Sequence, residues 1–138
     1  MRILALDHGA VRIGVALSDE LKMIAQPLEF IPAEPFVDFL ARLKQLLKEK
    51  EVELILIGMP RNMDGSYGSA AEKVRGFVTV LKETVAVPIR TVDERLSTVQ
   101  AHRLLGEAGM KAKERKGKVD RSAAAILLQS FLDAQGGL

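Results

Sequence analysis

The hydrophobic period of this chain first changes near residue 35, and that change limits the folds open to it. Before it, apolar residues come in three short β-rich runs: residues 2–7 (RILALD), 11–18 (VRIGVALS) and a weaker run at 23–31. The links between them are His8-Gly9-Ala10 and the polar Asp19-Glu20-Leu21-Lys22. Connections this short predict an antiparallel meander. Beyond the change, Phe36, Phe39, Leu40, Leu43, Leu46 and Leu47 recur at helical spacing and predict a helix over 35–50. Residues 53–58 (ELILIG) then form an unbroken apolar run, the pattern of a central parallel strand.

A loop rich in Gly, Pro, Asn and Asp, residues 58–68, leads to a helix over 69–84 with Ala70, Val74, Phe77, Val78 and Leu81 on its apolar side. A strand over 88–92 ends at Asp93-Glu94. Ser97-Thr98-Val99-Gln100 fits a capping box, and Gly109 is the natural stop of the helix it opens. A last helix over 119–135 turns Ala124, Leu127, Leu128 and Phe131 inward. The order βββ-α-β-α-β-α-α predicts an α/β fold of RNase H-like type. Its mixed five-stranded sheet has three antiparallel strands followed by parallel ones, with helices on both faces. Residues 1–138 suffice for one domain of this kind.

Composition narrows the chemistry. The chain has no Cys, so disulfides and thiolate metal sites are excluded, and only two His, His8 and His102. Any metal is expected to sit on oxygen ligands, which suits Mg²⁺ or Mn²⁺. No apolar stretch approaches the ~20 residues that span a bilayer, and the N-terminal run is too short for a secretory signal. A cytoplasmic protein without a membrane partner is therefore expected.

The acids carry the functional signal. Asp7 closes one apolar strand, Asp93 and Glu94 close another, and Asp120 opens the last helix in phase with Ala124, Leu127 and Phe131. Open α/β sheets bind ligands outside the carboxyl ends of their strands. Carboxylates converging there repel one another unless a cation lies between them. Asp7, Glu94 and Asp120 are thus candidate ligands of one or two metal ions that could activate water against a phosphodiester. Successive strand residues face opposite sides of a sheet, so one of Asp93 and Glu94 must point away. Each acid also has a plainer reading: a turn residue at Asp7, a turn acid at Asp93, an N-cap at Asp120.

Candidate substrate contacts surround these acids. Gly9 and Gly14 would let a phosphate backbone approach closely, and Arg12 could meet a phosphate or only flank the turn. Arg61 and Asn62 precede a helix N-terminus, where amides attract anions; a structured connection reads as well. Lys111, Lys113, Arg115, Lys116 and Lys118 form a basic run that is either a solvated loop or a phosphate-contacting one. His8 reads as a turn residue. With five Phe, one Tyr and no Trp, base stacking is not signalled, and Tyr67 is the only candidate stacker.

Four stretches, ALDHGAVRIGVALSD at 5–19, IGMPRNMDGS at 57–66, TVDERLSTVQA at 91–101 and KVDRSAAAILLQSFLD at 118–133, together resemble the YqgF family, also called RuvX, bacterial homologues of the RuvC Holliday junction resolvases. The resemblance implies an RNase H-like nuclease processing the 5′ end of the 16S ribosomal RNA precursor. It implies Asp7, Asp93 and Glu94 of the DER motif, and Asp120 as active-site positions, with Arg95 beside them. His8 departs from the hydrophobic residue or Pro expected there, and the fourth strand carries no acid, so the Glu role falls to the fifth. Branched DNA is the alternative substrate, and a homodimer would suit a junction cutter. A non-catalytic, nucleic-acid-binding assembly factor is a further alternative. An actin-like phosphotransferase, suggested by Asp7-His8-Gly9, would need a second half that 138 residues do not hold.

Overall fold

The computed structural model describes residues 1–60, 67–93 and 123–136. Strands lie where the short β-rich runs do: β1 (Arg2–Asp7), β2 (Arg12–Ser18) and β3 (Ala25–Pro32). They are followed by α1 (Phe36–Glu49), β4 (Val52–Met59), α2 (Ser69–Thr84), β5 (Ile89–Asp93) and α3 (Ala123–Gly136). The expected helix at 97–109 and the basic run at 111–118 lie outside the described residues.

The five strands form one sheet in the order β3-β2-β1-β4-β5. The pairings β1–β2 and β2–β3 are antiparallel, whereas β1–β4 and β4–β5 are parallel. This is the mixed sheet that the element order predicts. β1 is central, and Ile3, Leu4, Ala5 and Leu6 are all buried.

Strand alternation divides the core in two. Leu4, Leu6, Ile13, Val15, Ile55 and Ile57 face α1 and α2, meeting Phe39, Leu43, Leu46, Val74, Phe77 and Leu81. Ile3, Ala5, Ala16 and Leu56 face the other way, against Ala124, Ala125, Leu127, Leu128 and Leu132 of α3. Helices thus cover both faces, and each strand residue's parity decides which helical layer it meets.

Side chains fasten the elements at their ends. Asp19 Oδ1 accepts from the amides of Met23 and Ile24 at 2.8 and 3.0 Å, fixing the turn between β2 and β3. These amide bonds hold the Asp19 carboxyl below its usual range. Gln129 of α3 accepts from the Ala25 amide at 2.9 Å and donates to the Met23 carbonyl at 3.0 Å. Arg42 of α1 donates to both carboxylate oxygens of Glu29, at 2.9 and 2.6 Å. This fork-to-fork contact holds the Glu29 carboxyl below its usual range.

β3 is an edge strand. Its register against β2 slips between Val15 and Ala16, where Glu29 and Pro27 are the successive partners and Leu28 is left as a bulge. Along this strand only Ile31 is fully buried; Phe30 is 46% exposed.

Candidate active site at the carboxyl end of the sheet

Asp7 is the last residue of β1 and shares the parity of Ile3 and Ala5, which places it on the α3 face. Across β2 it pairs with Gly14, and Gly14 pairs in turn with Phe30 of β3. No side chain therefore stands between Asp7 and Phe30. An added Cβ at Gly14 would lie 3.3 Å from Phe30 Cε1 and 3.7 Å from Asp7 Cβ. The space opens into a groove of about 200 Å³ lined by Asp7, Gly14, Leu28, Phe30 and, from the start of α3, Ala123–Ala125.

Asp7 is half-buried at the end of this groove, and its carboxylate has no hydrogen bond or ion pair among the described residues. Arg12 lies two residues before Gly14 and shares its parity. Its guanidinium carbon sits 4.1 Å from the Phe30 ring centre, a cation–π contact that holds the cation beside the groove. Gly9 has a different role. A Cβ there would fall 2.4 Å from the Arg12 carbonyl oxygen, so only glycine allows the chain to double back between β1 and β2.

Sheet parity separates the candidates at the end of β5. Met59 pairs with Asp93, and Met59 and Ile89 both pack with the α1/α2 core. Val92 packs with the α3 core. By the parity of β5, Asp93 therefore lies on the face opposite Asp7. Its expected catalytic place beside Asp7 is not where the structure puts it, because alternation along β5 turns it to the other helical layer.

His8 also lies on that opposite face. Its ring centre is 4.7 Å from that of Phe77, and burial is the main reason its pKa falls below the ordinary value, with Lys73 acting the same way and Asp7 opposing. A neutral, partly buried ring against an aromatic core residue agrees with a turn residue. Tyr67, just before α2, is 46% exposed and has the Arg75 guanidinium 4.7 Å from its ring centre. A shallow depression of about 260 Å³, lined by His8, Gly58, Pro60, Ser69 and Lys73, lies at this end of α2. The remaining candidates, Glu94, Arg95, Asp120, Arg61, Asn62, Lys111, Lys113, Arg115, Lys116 and Lys118, lie outside the described residues. Among the described residues no group of three His, Asp or Glu side chains comes together as a metal site.

Sequence reasoning missed Phe30. In an apolar run it reads as core, but it stands half-exposed over a glycine. No local signal marks it, because its place opposite a glycine follows from the pairing of β3 with β2.

The sequence model of the RuvX family, described as Holliday junction resolvase, matches residues 1–134. The chain belongs to the RuvX family. Among its relatives is a protein of Halothermothrix orenii named "Putative pre-16S rRNA nuclease", 49% identical over 138 residues, covering 100% of this chain and 99% of that protein. A relative of the same name from Desulforamulus reducens is 48% identical over 134 residues, covering 97% of this chain and 98% of its own length. Among solved structures, Thermus thermophilus RuvC superposes with a TM-score of 0.58 at 19% identity, covering 99% of this chain and 97% of that one. At that identity the likeness shows the fold, and the RNase H-like architecture of this RuvX chain agrees with it.

Proposed function

We propose that this RuvX chain is a metal-dependent endonuclease that processes the 5′ end of the 16S ribosomal RNA precursor in the cytoplasm, with Asp7, Glu94 and Asp120 as its acids. One observation carries the reading: Asp7 shares its groove with Ala123, Ala124 and Ala125. Asp120 is three residues upstream of Ala123. Ala124, Ala125, Leu127, Leu128 and Leu132 are buried in α3, and in the sequence pattern Asp120 stands in phase with Ala124 and Leu127. The same reasoning serves Glu94. The sequence pattern expects one of Asp93 and Glu94 to face the site, and with Asp93 on the face opposite Asp7, Glu94 is the remaining candidate. The names of the relatives supply the substrate class.

The donor set fits Mg²⁺ or Mn²⁺. It consists of carboxylate oxygens, Asp7 has no competing hydrogen bond or ion pair among the described residues, the chain has no Cys, and His8 faces the other layer. Bound there, a divalent ion supplies an activated water and charge stabilisation for the leaving oxygen. The chain's own part is to hold the carboxylates at one end of the sheet and to bring the phosphate to them. Arg12, seated on Phe30 beside Asp7, is the described cation placed for that contact. Arg95, Arg61, Asn62 and the cations of residues 111–118 would extend the contact along the backbone, and their share would fall as salt rises.

The family's description as a Holliday junction resolvase and the RuvC-like fold favour a second substrate, branched DNA. Both are tested together by offering a precursor ribosomal RNA and a four-way DNA junction with Mg²⁺, Mn²⁺ or EDTA. The parent protein should cut the RNA in a metal-dependent way, and Asp7→Asn should bind it without cutting. Cutting of the junction alone would transfer the assignment to DNA. Binding of both without cutting would mark a non-catalytic assembly factor.

A further inference from the structure

We infer that the groove between β3 and the start of α3 is a seat for one unpaired base of the substrate strand, next to the phosphate that is cut, with Phe30 as its stacking surface. This rests on Asp7 marking the position of the cut. Three observations carry it.

The first is exposure. Phe30 is 46% exposed although it lies within a strand, and part of its surface lines the groove that ends at Asp7. The bulge at Leu28 opens this side of β3, and glycine at position 14 keeps the path from Phe30 to Asp7 clear.

The second is size and lining. The groove measures about 200 Å³, with Pro27, Leu28, Phe30 and three alanines among its walls. Sites that enclose a whole drug-sized ligand run to ~300–1,000 Å³, so this one suits a single planar group. Among the described residues that line it, the acids are Glu29 and Asp7; Glu29 is committed to Arg42, and the other described walls are mostly apolar.

The third is charge. Arg12 takes one side of the Phe30 ring at 4.1 Å and leaves the side that lines the groove to a base, so a cation for a phosphate and a surface for the adjoining base are held together on the sheet face that carries Asp7. Single-strand recognition pairs a cation tracking the backbone with an aromatic platform under the base, and stacking tolerates any base because each has a π-face. Phe30 would therefore favour unpaired nucleotides at the cut without selecting their sequence.

The chain has no Trp, so Phe30→Trp creates a single reporter at the seat. It is placed in the Asp7→Asn background and titrated with a single-stranded oligoribonucleotide and with an abasic strand of the same length. The base-bearing strand should quench the tryptophan emission and the abasic strand should not; equal quenching by both would overturn the inference. In the protein with Asp7 intact, Phe30→Ala should raise KM for the precursor RNA about tenfold to a hundredfold, with a smaller change in kcat, and Phe30→Tyr should restore it. Normal cleavage with KM unchanged in Phe30→Ala overturns the base seat and leaves the nuclease reading intact. Base-selective quenching in a protein that cuts nothing supports the seat and removes the nuclease reading.

Discussion

Gly9 and Gly14, close in sequence, should respond unequally to a single added methyl group. At Gly9 the new Cβ would meet the Arg12 carbonyl oxygen at 2.4 Å. That neighbour is backbone, so β1 and β2 must separate to relieve the clash. Overpacking typically costs about 1–3 kcal/mol, occasionally more, and a backbone collision belongs at the upper end. For a chain of this size 1 kcal/mol moves Tm by roughly 3–5 °C, so Gly9→Ala should lower Tm by about 10 °C. At Gly14 the Cβ would meet Phe30 Cε1 at 3.3 Å, and that ring is half-exposed and free to give by a few tenths of an ångström. Replacing a strand glycine also recovers about 0.5–1 kcal/mol of chain entropy. Gly14→Ala should therefore stay within about 1 kcal/mol of the parent, while weakening nucleic-acid binding because Phe30 and the Arg12 seated on it are displaced. Calorimetric unfolding of the two variants, with a binding titration for Gly14→Ala, gives the comparison. Equal losses of Tm, or a larger loss at Gly14, would refute the geometric argument.

Leu128 is fully buried between α3 and the sheet, and Leu128→Ala should destabilise by about 2–5 kcal/mol in denaturant unfolding, with a loss under 1 kcal/mol contradicting the docking of α3. His8 titrates below its ordinary value in the folded protein, mainly through burial. The unfolded chain then binds the proton more readily, so His8 contributes full stability above about pH 6.5 and loses it as pH falls toward the folded value. His8→Phe, which keeps a ring against Phe77, should flatten that acid-side decline in Tm measured across pH 5–7; an unchanged slope would place its origin elsewhere.

The fold was legible because its two periods do not mix. The runs at 2–7, 11–18 and 53–58 became β1, β2 and β4 with shifts of a residue or so, since a buried strand leaves little choice of register. Asp7 stood out as a candidate for a related reason: an acid ending an apolar strand is costly unless it is used. The face on which Asp93 lies was not legible, because alternation says that neighbours oppose but not which face is which. The phase came only from Val92 and Ile89 meeting different helical layers. Phe30 was hidden by a tertiary fact, the slip in β3 register that no local pattern announces.

That irregular outer strand has a consequence for assembly. A neighbouring chain that tried to prolong the sheet from β3 would meet two proline residues, Pro27 and Pro32, without amide donors, and a bulge that interrupts the ladder between them. The β3 edge is thereby protected against strand addition, and a two-copy arrangement suited to a branched substrate would have to be built through some other surface.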